Sequence, residues 1–172
     1  MFENFAFVIF SRFQFGVTIS SIRPHLIRIP TQMDLYVILK KVSKNERRLS
    51  KKPLELVLYI GTALDYLLRF KDHCKPKASN SRRTVFNKDE HEVVLIRRFT
   101  EDDFDSRFES PEQSAIAYEL LSSRLRKNCS FVSNWNPGVS STGINASLFS
   151  KLNNDDVIAL ATQLIKVIQE HD

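Results

Sequence analysis

Apolar and polar residues alternate with a period of two along the first thirty positions. Phe5, Phe7 and Ile9 are followed by Phe13, Phe15, Val17 and Ile19, with Gln14, Gly16, Thr18 and Ser20 between the latter. That period puts successive side chains on opposite faces of a strand. Residues 1–30 therefore read as a strand-forming segment, interrupted at Arg23-Pro24 and resumed over Leu26–Ile29. From Thr31 the period changes. Leu35, Ile38, Leu39 and Val42 fall at i, i+3, i+4 and i+7, one face of a helix. Thr31-Gln32-Met33-Asp34 reads as a capping box with Asp in place of Glu. The spacing predicts a helix from Thr31 that fades between Ser43 and Leu49.

Pro53 predicts the start of a second helix, since its missing N–H costs nothing there. Leu54, Val57, Leu58, Gly61, Leu64 and Leu68 form one stripe, and Leu56, Tyr59, Ile60, Ala63, Tyr66 and Phe70 a second. A helix over 53–71 that is apolar on most sides is either central to a core or shared with a partner. Val93-Val94-Leu95-Ile96 favours a strand or hairpin. Ser110-Pro111-Glu112-Gln113 marks a helix start, with Ile116, Leu120, Leu121 and Leu125 on the buried face. Asn154-Asp155-Asp156 caps a last helix that turns Val157, Leu160, Ala161, Leu164 and Ile168 inward. The expected fold is α+β and helix-rich: N-terminal short strands, two antiparallel helices, a strand or hairpin, and two C-terminal helices. The domain plan is a strand-forming or targeting segment over 1–30 and one globular domain over 31–172, with loops at 75–90 and 129–153.

Composition narrows the function classes. The chain has 172 residues, 42% hydrophobic and 26% charged, which is enough apolar material for a core and too much for general disorder. Four glycines, Gly16, Gly61, Gly138 and Gly143, are too scattered for a phosphate-cradling loop. Cys74 and Cys129 form neither a CxxC pair nor a disulfide framework, which fits a reducing, intracellular compartment, nuclear or cytoplasmic. Arg12, Arg23 and Arg28 against Glu3 keep a mitochondrial presequence open. No apolar run is long enough to cross a bilayer.

Charge is the strongest global signal. The net charge is +5, yet residues 40–83 carry thirteen basic and four acidic side chains, while residues 84–112 carry four and nine. A basic block attracts polyanions through phosphate neutralisation and counterion release. Lys40, Lys41, Lys44, Arg47, Arg48, Lys51, Lys52, Lys75, Lys77, Arg82 and Arg83 are the candidate polyanion-binding residues. Their alternative is a solvated face, or a mate for the acidic stretch Glu101 to Glu109. Leu56, Tyr59, Ile60, Ala63, Tyr66 and Phe70 are the candidate partner interface, serving a homodimer or heteromer. Arg47-Arg48-Leu49-Ser50 also fits the pattern that basophilic kinases favour.

Residues 31–99 show helix, basic loop, longer helix, basic loop ending Arg82-Arg83-Thr84-Val85, and a third segment. That layout resembles a histone fold, which would imply a paired, DNA-binding helical unit. Arg69-Phe70-Lys71-Asp72-His73 resembles the Arg/His pairing of HEPN-type ribonucleases, one residue short of that family's spacing. The resemblance implies an Arg and a His facing a scissile phosphate. The acids Glu101, Asp102, Asp103 and Asp105 read as a solvated loop, and His73, Cys74, His91 and Cys129 lack ligand spacing, so neither a metal nor a cofactor is implied. The function expected first is a non-enzymatic binding or assembly module that contacts nucleic acid or an acidic protein through residues 40–83. Next stands a protein–protein adaptor using residues 53–71. Third is a small nuclease or hydrolase, which would need a cleft holding Arg69 with His73.

Overall fold

The structure, a computed structural model, describes residues 31–75, 86–132 and 144–171. The strands expected over 4–29, the stretch 76–85 with Lys77, Arg82 and Arg83, and the polar stretch 133–143 lie outside the described residues. The described chain is α+β. Strands β1 (Gln32–Lys40), β2 (Val57–Ala63) and β3 (His91–Thr100) form an antiparallel sheet in the order β2-β1-β3. Around it lie helices α1 (Lys44–Leu49), α2 (Tyr66–His73), α3 (Pro111–Leu121), α4 (Ile144–Ser150) and α5 (Asn154–Glu170), with 3₁₀ turns at Pro53–Leu56 and Ser122–Leu125.

The two expected antiparallel helices are where the sequence reading is corrected. The first is strand β1, and its two faces explain the error. Met33, Leu35, Val37 and Leu39 point into the larger core, and Tyr36 and Ile38 into a second, smaller one. A central strand buried on both faces reads as an unbroken apolar run, and such a run satisfies helical spacing equally well. Asp34, read as part of a capping box, instead receives both Nε and Nη2 of Arg98, at 2.7 and 3.1 Å. The second expected helix divides into a 3₁₀ turn, strand β2 and helix α2. Its aromatic and branched residues, Val57, Tyr59, Ile60 and Thr62, suit a strand, and Gly61 would cost a helix about 1 kcal/mol. With strands at both positions the histone-like layout of 31–99 does not form.

Three later elements agree with the sequence reading. Strand β3 covers the expected Val93–Ile96, and Ser110 caps α3 by accepting the Gln113 N–H, with Pro111 at the first helical position. Asn153 and Asp156 form a capping box that starts α5, which buries Leu160, Leu164 and Ile168. The loop expected over 129–153 contains α4. Helix α1 begins at Ser43 with its own capping box to Glu46, where the first helix was expected to fade.

The larger core lies between one sheet face and helices α3 and α5, and joins Leu35, Val37, Leu39, Val94, Ile96 and Phe99 to Ala115, Leu121, Leu160 and Leu164. The smaller one joins Tyr36 and Ile38 to Phe70 of α2 and to Phe86. Each strand pairing is offset once. Leu58 bulges opposite Ile38/Leu39, and Ile96 opposite Leu35/Tyr36. The carbonyl of Leu58 accepts the Val132 N–H at 2.9 Å, which pins the chain after α3 to the β2 edge.

Candidate active site

On the α2 side of the sheet, the cross-strand partner of Tyr36 is Gly61 and that of Ile38 is Tyr59. Side chains of paired residues share a face, so Tyr36 and Tyr59 stand over Gly61, with ring centroids 6.1 Å apart. The phenols of Tyr36 and Tyr59 are hydrogen-bonded to each other. A Cβ at Gly61 would lie 2.5 Å from Cε1 of Tyr59, 2.9 Å from Oη of Tyr36 and 3.0 Å from Oη of Tyr59. Only a glycine leaves room for this pair.

Helix α2 supplies the next two groups. Asp65 caps it by accepting the Leu68 N–H at 2.9 Å. Arg69 and His73 are four residues apart and so lie on one side of the helix. Nε2 of His73 is 3.1 Å from Oη of Tyr36, and its ring meets Tyr59 edge-on at 5.0 Å and Phe86 at 5.7 Å. Arg69 is exposed, and its positive charge acts on both Tyr36 and Glu119.

Glu119 comes from α3, on the opposite face of the sheet. It reaches the edge strand β2, where Oγ1 of Thr62 donates to its Oε2 at 2.8 Å. Tyr36, Tyr59, Arg69, His73, Thr62 and Glu119 are thereby linked, directly or through charge, around Gly61. Burial pushes the Glu119 carboxyl up to about 7, against the Thr62 hydrogen bonds and the Arg69 charge, which pull it down. Burial, and then the neighbouring Tyr59, raise the Tyr36 phenol well above the usual tyrosine range, while Arg69 lowers it. At neutral pH the cluster therefore holds a neutral phenol, a cation and a carboxyl poised between its two states. Perturbed ionisation of this kind collects at functional sites.

Arg69 and His73, singled out together in the sequence, are brought into one site. Tyr36, Thr62 and Glu119 were missed. Two signals pointed to them: a glycine directly after Tyr59-Ile60, and an acid at i+3 from Ile116, on the otherwise apolar side of its helix. Two of the acids from Glu101 to Asp105 serve the fold, while Glu101 and Asp102 are exposed. Asp103 pairs with Arg97 at 2.8 Å, and Asp105 holds Arg107 together with Asp156. Among the described residues no group of three His, Cys, Asp or Glu side chains could hold a metal ion.

The basic residues separate into different environments. Lys40, Lys41, Lys44, Arg48, Lys51, Lys52 and Lys75 are exposed, with Lys52 paired to Glu55 and Lys75 to Asp72. Arg47 is buried; it lies 2.6 Å from Glu92 and donates to the His171 carbonyl at 3.1 Å, tying α1 to β3 and to the end of α5. That burial also withdraws Arg47 from a kinase approaching Ser50. Lys77, Arg82 and Arg83 lie outside the described residues. Of the candidate interface residues, Ile60 is fully buried in the larger core, Phe70 in the smaller one, and Leu56, Tyr59, Ala63 and Tyr66 pack against the same two clusters. No helix of the described residues is long and apolar enough to cross a membrane. No family model, curated protein or solved structure matches the chain.

Proposed function

We propose that this protein is a nuclease, hydrolysing a phosphodiester at the cluster around Gly61. One observation carries the reading: two phenols, a histidine and an exposed guanidinium gather on the α2 face of the sheet beside Gly61, and a half-ionised carboxyl reaches the next residue of β2 from the other face. Phosphodiester hydrolysis needs a cation for the developing charge on the phosphoryl oxygens, a route for the proton of the attacking water, and a proton for the departing oxygen. Arg69 supplies the cation. Tyr59, half-buried, meets the water, and its proton passes through Tyr36 towards Nε2 of His73. The P–O bond to the departing nucleoside oxygen breaks as the water oxygen bonds to phosphorus, and the departing oxygen takes up a proton from solvent water. Glu119, when ionised, would be the one carboxylate of this cluster able to help hold a magnesium ion, whose charge would add to that of Arg69 against the phosphoryl oxygens.

The experiment is cleavage of labelled duplex and single-stranded DNA and RNA with magnesium, by the wild type and by Arg69→Ala, Tyr59→Phe and Glu119→Gln. The expected losses are about 100-fold or more for Arg69→Ala and Glu119→Gln. Absence of cleavage of all four substrates, with magnesium or manganese, overturns the reading.

A second reading, a binding module for nucleic acid or an acidic protein without catalysis, draws on the exposed Lys40, Lys41, Lys44, Arg48, Lys51 and Lys52. It is distinguished by salt-sensitive binding that Lys40, Lys41, Arg48, Lys51 and Lys52→Glu abolish, in a protein that cleaves nothing.

A further inference from the structure

The outward side of α2 and the turn before it break the usual rule for a small domain. Leu64, Leu67 and Leu68 are 58%, 51% and 56% exposed, and none of them joins either core. Exposed Lys71 lies four residues from Leu67 and three from Leu68, so its ammonium shares their face. We infer that these leucines hold the nucleobases beside the scissile phosphodiester and unstack one step of a duplex, an inference that rests on the nuclease reading.

Continuity with the candidate site is the first argument. Leu68 directly precedes Arg69, so a phosphate held by Arg69 brings its own neighbouring bases over this helix. Eight helical residues span about 12 Å, which matches three or four base steps at about 3.4 Å each. Charge is the second. Both acids of the segment are engaged, Asp65 as the cap of α2 and Asp72 with Lys75 at 2.6 Å, which leaves Arg69 and Lys71 to face a polyanion. The chemistry of apolar wedges is the third: leucines inserted between base steps partly unstack them and kink the duplex. A second copy of the chain fits less well. Three half-exposed leucines fall short of the roughly 800 Å² per partner that a stable dimer covers, and charges interleave them.

The test uses the full chain with EDTA and duplexes carrying 2-aminopurine at successive positions. Wild type and Glu119→Gln should both raise the fluorescence at one step. Leu67→Gln with Leu68→Gln, which preserves helix propensity, should abolish the rise. It should also weaken duplex binding about ten-fold, with about a two-fold change or less on a single strand. Unchanged far-UV circular dichroism shows that the variant is folded. A double variant that binds and unstacks like wild type in EDTA, and cleaves like it once magnesium is added, overturns the inference and leaves the nuclease reading standing. An equal loss on single strands without a fluorescence rise on duplex also overturns it, as does a dimer that the double variant makes monomeric while the fluorescence rise persists. A wild type that neither binds nor cleaves removes both readings.

Discussion

Replacing Glu119 by Gln should abolish cleavage and at the same time stabilise the protein at high pH. The carboxyl is pushed up to about 7 in the fold against 4.5 for an ordinary glutamate, chiefly by burial. Its folded value is raised, so its contribution to stability is fully present below pH 4.5 and is lost as pH rises through about 7. The gap is worth about 3 kcal/mol, at about 1.36 kcal/mol for each pH unit. A glutamine keeps a carbonyl to accept the Thr62 hydroxyl and carries no charge to desolvate. Urea titrations of wild type and Glu119→Gln at pH 5 and pH 8 provide the assay. The variant should match wild type within about 1 kcal/mol at pH 5 and exceed it by about 2–3 kcal/mol at pH 8. If the carboxylate form is the active one, wild-type cleavage should rise with pH to a plateau above about 7. A difference between the two proteins that does not change with pH would refute the claim that burial holds Glu119 half-protonated, and with it the electrostatic description of the site.

Further outcomes follow from named contacts. Gly61→Ala drives a methyl into Tyr59 and Tyr36, and should cost about 1–3 kcal/mol together with most of the activity, read by near-UV circular dichroism and cleavage rate. Arg98→Ala leaves the fully buried Asp34 carboxylate without its arginine and should clearly lower the urea midpoint. Asp34→Ala frees an arginine that is already 46% exposed and should cost less, about 1 kcal/mol, so equal losses would contradict the assigned burial. Leu164→Ala in the larger core should cost about 3 kcal/mol and lower the thermal midpoint without changing the pH profile of cleavage.

Helix α3, helix α5 and strand β3 were legible because their signals are local. A serine followed by proline, an asparagine before two aspartates and a run of branched apolar residues each act over a few positions. Strands β1 and β2 were not legible as strands, because the decisive fact about Leu35–Leu39 is the presence of a core on both sides, and that is set by distant helices. The site was half legible for the same reason. Arg69 and His73 share one helix and their spacing is visible, whereas Tyr36 and Glu119 are brought to them by strand register and by a helix behind the sheet. The basic block, conspicuous as a count of charges, includes Arg47, which its neighbours convert into a buried brace.

The position of the cluster follows from the sheet being narrow. Among the described residues β2 lies at the edge of the sheet, so α2 in front of it and α3 behind it both come within reach of its last residues. Thr62 is paired with Leu35 and Gly61 with Tyr36, so consecutive residues of β2 address opposite faces. Glu119 is met from one face and the tyrosine pair from the other, across the thickness of a single strand. The two halves differ in what supports them. Glu119 stands on α3, whose neighbours Leu120 and Leu121 are buried in the middle of the molecule. Arg69 and His73 stand on an eight-residue helix that sinks only Phe70 into a core. Helices this short are marginal without tertiary support, so α2 should open locally well before the sheet does. Amide exchange should show the Thr62–Glu119 half protected at nearly the global level and the α2 half at a lower one. Substrate phosphate at Arg69 should raise protection in α2 alone. Uniform protection across both halves would mean that the site is rigid before substrate arrives, and that α2 does not assemble around it.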